Sequence, residues 1–181
     1  GLDRKMINVD KKIVRIGAAS GFWGDSILAV PQLLQAGGLD YIVFDYLAEM
    51  TMSILSAARL KKPELGYATD FVRTVRDNLP AIVSSGVRLV ANAGGVNPRG
   101  CAAALHAVAA EQGLALCIAF VEGDDVMHLL PQLREEKTGE IQDGRALPAK
   151  VLTANAYLGA LPVKMALDAG AQIVVTGRGE K

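Results

Sequence analysis

The chain is poor in the features that announce most binding chemistries. It has 2 cysteines and 2 histidines in 181 residues, and only 5% of its residues are aromatic. Cys101 and Cys117 lack paired metal-ligand spacing, so they read as reduced core residues of a cytosolic protein, not as zinc ligands or a disulfide framework. His106 and His128 fall in helix-like segments without a partner at ligand spacing. Charge of one sign is missing as well: 19 Lys and Arg balance 19 Asp and Glu, with no basic stripe. Nucleic acids and anionic membranes, which require a counterion-releasing surface, are therefore not expected partners. No apolar run approaches the roughly 18 to 20 residues of a membrane helix. The opening Gly1-Leu2-Asp3-Arg4-Lys5-Met6 lacks the apolar core of a signal peptide. Gly-x-Ser-x-Gly elbows, complete P-loops and His-Glu-x-x-His pairs are absent too. These absences leave a cytoplasmic protein whose partner is a small molecule, with homo-oligomerisation open.

What is present is a rich apolar content, 51% hydrophobic against 21% charged, enough for one well-buried core. Four segments share one grammar: an alanine- or leucine-rich helical pattern, a glycine, then a β-branched or apolar run. They are Leu33 to Gly38 into Tyr41–Phe44, Ala81 to Gly86 into Val87–Val90, Ala103 to Gly113 into Leu114–Val121, and Met165 to Gly170 into Ile173–Val175. The glycine suits a left-handed C-cap, and the near-continuous apolar runs suit strands covered on both faces. With Ile13–Ile16 added, and a further candidate at Lys150–Thr153, the fold class is α/β. The expected architecture is a largely parallel sheet of about five or six strands flanked by helices, a Rossmann-like three-layer arrangement. Residues 1–12 read as a tail and 13–178 as one α/β domain. The polar stretch Arg134–Pro148 reads as a surface excursion. Because Ile173–Arg178 reads as a strand delivering a loop with only 179–181 behind it, the domain is expected to be part of a larger one.

Polar and glycine residues gather after the apolar runs, not before them. Asn92-Ala93-Gly94-Gly95-Val96-Asn97-Pro98-Arg99 follows Val87–Val90, with Asn97 as candidate N-cap and Pro98 at the first helical position. Ser20-Gly21-Phe22-Trp23-Gly24-Asp25, Asp45-Tyr46 and Glu122-Gly123-Asp124-Asp125 repeat the design. Carboxyl ends of parallel strands are where open α/β sheets bind ligands. The candidate catalytic groups are accordingly Asp45, Glu122 and Asn92. The candidate ligand-binding groups are Ser20, Gly21, Gly24, Gly94, Gly95, Asn97, Arg99, Asn155, Tyr157, Thr176, Gly177 and Arg178. Of these, Ser20, Asp45, Asn92, Asn97, Glu122, Asn155 and Arg178 are expected around one cleft. The glycines also have a purely local reading as turn formers, and Asn97 as a helix cap.

Three chemistries compete for this edge. The first loop nearly matches a dinucleotide fingerprint, with Asp45 where a ribose-binding acid belongs, yet neither register keeps all three glycines and Phe22-Trp23 crowd the pyrophosphate position. Asp25, Asp45, Glu49, Glu122, Asp124 and Asp125 offer hard oxygen ligands for magnesium or calcium, or a carboxylate pair for acid–base work. Arg99 and Arg178 offer planar forks for a carboxylate or phosphate. The cofactor and the metal stay unassigned.

Five co-linear motifs, Ile16–Asp25, Gly38–Glu49, Asn92–Pro98, Val121–Asp125 and Ala154–Gly159, closing with Thr176-Gly177-Arg178, make the chain resemble the N-terminal domain of acyclic terpene utilisation proteins. That resemblance implies a role in the degradation of branched acyclic terpenoids, whose intermediates are CoA thioesters. It carries over no catalytic residue. A lyase or hydratase acting on a CoA thioester is the leading expectation. A non-catalytic subunit binding acyl-CoA intermediates and a nicotinamide-dependent oxidoreductase are the alternatives.

Overall fold

The computed structural model describes residues 13–20, 28–46, 49–122, 126–130 and 160–177. Six strands, β1 (Ile16–Ser20), β2 (Tyr41–Phe44), β3 (Arg88–Gly95), β4 (Ile118–Glu122), β5 (Val126–Leu130) and β6 (Ile173–Gly177), form one sheet in the order β1-β2-β3-β6-β4-β5. Every adjacent pair is parallel except β4 and β5, which run antiparallel. The α/β class and the largely parallel sheet of six strands are as the sequence implies. Strand β5 is the departure: it places His128 in a strand opposite Phe120, not in a helix. The candidate strand at Lys150–Thr153 and the excursion Arg134–Pro148 lie outside the described residues.

Among the described residues five helices accompany the sheet: α1 (Ala29–Ala36), α2 (Glu49–Lys61), α3 (Thr69–Ser85), α4 (Pro98–Glu111) and α5 (Ala160–Asp168). Alternation along the strands decides which helix covers which face. Ile42, Phe44, Leu89, Ala91, Ile118, Phe120, Ile173 and Val175 point into one core with Phe71, Val75, Leu79 and Ile82 of α3 and Leu105 and Val108 of α4. Val90, Val174 and Ala119 pack on the other face against Ala166 and its neighbours on α5. Burying such side chains is worth roughly 1.5–3 kcal/mol each, so these two buried layers are a main source of stability.

Local chemistry explains the joints. Helix α3 ends at Gly86, whose φ of 71° is the left-handed C-cap conformation that any side chain would strain. Pro80 inside α3 has no N–H for the Arg76 carbonyl, and Gln112 at the end of α4 donates to that carbonyl instead, at 2.9 Å. Arg88 plays the corresponding part for α5. Its guanidinium donates to the carbonyls of Leu167 and Ala171 and to the Tyr41 hydroxyl, complementing the negative end of the helix.

The topology fixes where a site can lie. Crossovers β1-α1-β2, β2-α3-β3 and β3-α4-β4 keep their packed helices on one face, while α5 leads into β6 from the other. Strand β6 therefore slots between β3 and β4. The carboxyl ends of β3, β6 and β4 are thus the place where winding changes, the position at which open sheets form a crevice.

Candidate functional site

At the carboxyl end of β2 the chain is pinned by aromatic packing. Phe44, Tyr46 and Phe71 form a buried trio with ring centroids 4.9 to 6.2 Å apart. This anchors the Tyr46 backbone, whose N–H donates to Asn92 Oδ1 on β3 at 2.7 Å. Because a backbone N–H can only donate, the Asn92 amide has one possible orientation, and its Nδ2 faces Asp45. That nitrogen donates to Asp45 Oδ1 at 2.7 Å. Asp45 is exposed and Asn92 half-buried, so the carboxylate meets solvent from a fixed base.

Thr176 belongs to the same side of the sheet. It follows Val175, the register partner of Ala91, and pairs with Val121 of β4. Asp45, Asn92 and Thr176 therefore succeed one another at the ends of β2, β3 and β6, on the face that carries α5. Glu122 and Arg99 sit on the opposite face. Arg99 in the first turn of α4 donates to Glu122 Oε2 at 2.9 Å and lies 5.3 Å over the Phe120 ring. Arg99 is exposed, at 63%, and Glu122 is half-buried, at 44%. The predicted residues share the carboxyl edge, but alternation divides them between two faces of it. Ser20 pairs with Phe44 at the end of β1 on the same edge.

The glycine loop is shaped by close packing of backbone on backbone. A Cβ on Gly94 would stand 2.7 Å from the Thr176 carbonyl oxygen, and one on Gly177 would stand 2.6 Å from that of Gly95. Gly95 has φ 54° and would meet the Gly66 carbonyl oxygen at 2.7 Å. Gly94 and Gly95 are buried. Asn97 does cap α4, accepting from the Gly100 N–H at 3.0 Å with Pro98 at the helix start. Its Nδ2 turns away from the Asp45 side and donates to the Leu65 carbonyl at 2.9 Å, with those of Glu64 and Pro63 at 3.3 and 3.4 Å.

Sequence reading missed the α2–α3 connection as part of this edge. Leu55 packs against Gly95, the Arg59 guanidinium donates to the Val96 carbonyl, and the Val96 N–H donates to the Gly66 carbonyl at 3.0 Å. The glycine between two helical patterns, Gly66 with φ 107°, was the available signal. Tyr67 next to it has its pKa raised by burial and, to a lesser extent, by the nearby Cys101 and Glu64. Cys101, fully buried in the first turns of α4, has its thiol pushed far up by burial. It is a core residue and no nucleophile at neutral pH. No group of three or more His, Cys, Asp or Glu suited to a metal occurs among the described residues. Gly21, Gly24, Asn155, Tyr157, Arg178, Asp25, Asp124 and Asp125 lie outside them.

The strand order is not that of a dinucleotide-binding fold. A dinucleotide loop follows the central first strand of order 3-2-1-4-5-6, whereas β1 here is at the sheet edge. The fold and its edge define an open α/β domain with polar groups gathered where the winding changes. Residues 14–179 match the family model described as acyclic terpene utilisation family protein AtuA, and the chain belongs to that family. No curated protein and no solved structure matches it. Among the described residues no helix is long and apolar enough to cross a membrane.

Proposed function

We propose that this chain is a cytoplasmic enzyme of acyclic terpenoid or related branched acyl-CoA breakdown, of lyase or hydratase type, with Asp45 as its working carboxylate. The observation that carries the reading is the Tyr46–Asn92–Asp45 chain of hydrogen bonds at the carboxyl ends of neighbouring strands. Adding water to an enoyl thioester, or removing it, requires a proton to be moved at a carbon next to the thioester carbonyl. A carboxylate held in place by a fixed amide supplies a base in a defined position, and proton transfer by such a group is worth about 100- to 10,000-fold in rate. Glu122 is paired with Arg99, which suits it to a positioning role.

The test is to incubate the protein with a branched 2-enoyl-CoA ester and follow loss of the conjugated thioester absorbance as water adds across the double bond, with Asp45→Asn alongside. Turnover lost in Asp45→Asn with ester binding retained supports the proposal. Ester binding without turnover in the unaltered protein would assign it instead to the accessory role of carrying intermediates. Tight nicotinamide nucleotide binding, lost in Asp45→Asn, would overturn both.

A further inference from the structure

Strand β1 ends the sheet, and it is bare where such edges are ordinarily guarded. Of the seven large apolar side chains exposed among the described residues, four gather here. Ile13 at 79%, Val14 at 50% and Ile16 at 62% lead into β1, and Val43 lies beside it on β2. Natural edges are blunted by lysine, proline or an inward-pointing charge. Ile13–Ala18 contains no lysine and no proline, and Arg15, its one charge, turns its guanidinium toward Gly38 of its own chain.

Backbone direction shows what this edge offers. Arg15 faces β2: its carbonyl accepts from the N–H of Asp40 at 2.9 Å and of Tyr41 at 3.2 Å, and its N–H donates to Asp40 Oδ2 at 2.9 Å. Peptide groups alternate in direction along a strand, so those of Gly17 face β2 as well and those of Val14, Ile16 and Ala18 face outward. Among the described residues these outward groups have no hydrogen-bond partner. The side chains of the same three residues share the exposed face, since Gly17 and Ala19 are buried on the other. Past Ala18 the register shifts before Ser20, a bulge-type irregularity that ends regular pairing.

The stretch left free is Val14–Ala18, with Ile16 at its middle, and it is self-complementary. Laid antiparallel on a second copy about a two-fold axis at Ile16, Ile16 meets Ile16 and Val14 meets Ala18, each pair exchanging two backbone hydrogen bonds. On the other face Arg15 meets Gly17, so no like charges stand directly opposite and no side chain opposes the guanidinium. We propose that β1 is a dimerisation edge at which two copies of this chain join their sheets into one, covering Val14 and Ile16 of both. The pairing is short, which sets it in the weak class of interface, with a Kd of roughly 1–100 μM.

Sedimentation equilibrium of the 181-residue chain at about 1–300 μM, a range spanning that Kd, is expected to show a monomer–dimer equilibrium that stops at the dimer. Ile16→Lys sets two ammonium groups against each other on the axis and is expected to weaken association about 10-fold or more. Because Ile16 is exposed, the circular dichroism and Tm of this variant should match those of the unaltered protein. Ile16→Cys tests the axis itself. Cα atoms of a hydrogen-bonded antiparallel pair stand about 5.5 Å apart, within reach of a disulfide, so mild oxidation should link two copies through position 16. Val43→Cys, a strand further from the axis, should link far more slowly. A chain that stays monomeric over the whole range would overturn the proposal, and so would growth beyond the dimer. Undiminished association of folded Ile16→Lys, or linking of Val43→Cys as fast as Ile16→Cys, would overturn it too.

Discussion

Asn97→Ala separates architecture from ligand binding at the glycine loop, and its cost can be worked out in parts. The side chain makes two kinds of bond. Oδ1 accepts from the Gly100 N–H at 3.0 Å, the N-cap of α4, and losing such a cap costs about 1 kcal/mol. Nδ2 donates to the Leu65 carbonyl at 2.9 Å, and a bond of this kind contributes about 1 kcal/mol net. The contacts at 3.3 and 3.4 Å to Glu64 and Pro63 share the same donor and add little. The expected loss is about 2 kcal/mol, which for a domain of this size is a fall in Tm of roughly 4–8 °C.

Asn97→Ser keeps the cap and removes the tie to the α2–α3 connection, so it should lose about half as much. Asn97→Asp keeps the cap and adds a charge that the helix start favours, but turns an acceptor toward three carbonyls and should still fall below the unaltered protein. Urea and thermal denaturation of the three variants measure this. Asn97→Ala within about 0.5 kcal/mol of the unaltered protein would refute the reasoning, and would show that the residue is present for something other than the fold.

Two further outcomes follow from packing and burial. Gly177→Ala places a methyl 2.6 Å from the Gly95 carbonyl oxygen, so the β3 and β6 ends must part; overpacking of this kind costs about 1–3 kcal/mol, readable by urea titration. Burial raises the pKa of both thiols, Cys101 the more strongly, from the ordinary 9.0, so thiolate is scarcer than in the unfolded chain at any given pH. A thiol reagent at mildly alkaline pH should therefore label half-buried Cys117 first and reach Cys101 only on unfolding. With the folded values raised, the stability these groups contribute is full below 9.0 and declines as pH climbs above it, because the unfolded state then ionises while the folded state does not. Replacing both by Ala should flatten that alkaline decline.

The repeated order of helix, glycine and apolar run was enough to read the class of the fold, because both halves of the signal are local. Gly38, Gly86, Gly113 and Gly170 all take positive φ where the pattern asks for a helix end. What local signals do not carry is partner choice. Asn92-Ala93-Gly94-Gly95 looks like a loop by composition, yet it continues β3, because β6 arrives alongside and Gly95 pairs with Gly177. Strand β5 escaped for a related reason. Val126–Leu130 is too short and too plain to distinguish from a helix segment, and only its pairing with β4 makes it a strand. The composition of Gly123-Asp124-Asp125, residue types common in turns, between two apolar runs was the sequence signal available.

The division of the candidate residues between two faces has the same origin. Nearness to a strand end can be read from sequence, but the side a residue points to depends on counting in twos from a correctly placed strand. Asn92 and Glu122 each follow an apolar run and look equivalent. Counted from the buried positions, Asn92 falls with Val90 and Val174 toward α5, and Glu122 with Phe120 toward α4. Each acid meets a partner on its own face of the sheet. Glu122 has the Arg99 guanidinium across from it at 2.9 Å. Asp45 has a neutral amide whose orientation is dictated by the Tyr46 backbone. Asn92 thus serves the sheet and the site with one side chain: an apolar residue there would leave the half-buried Tyr46 N–H without its acceptor, and would release Asp45 from its neighbour. A polar residue in a central strand ordinarily weakens a sheet, and here its side chain is held by the Tyr46 backbone on one side and Asp45 on the other.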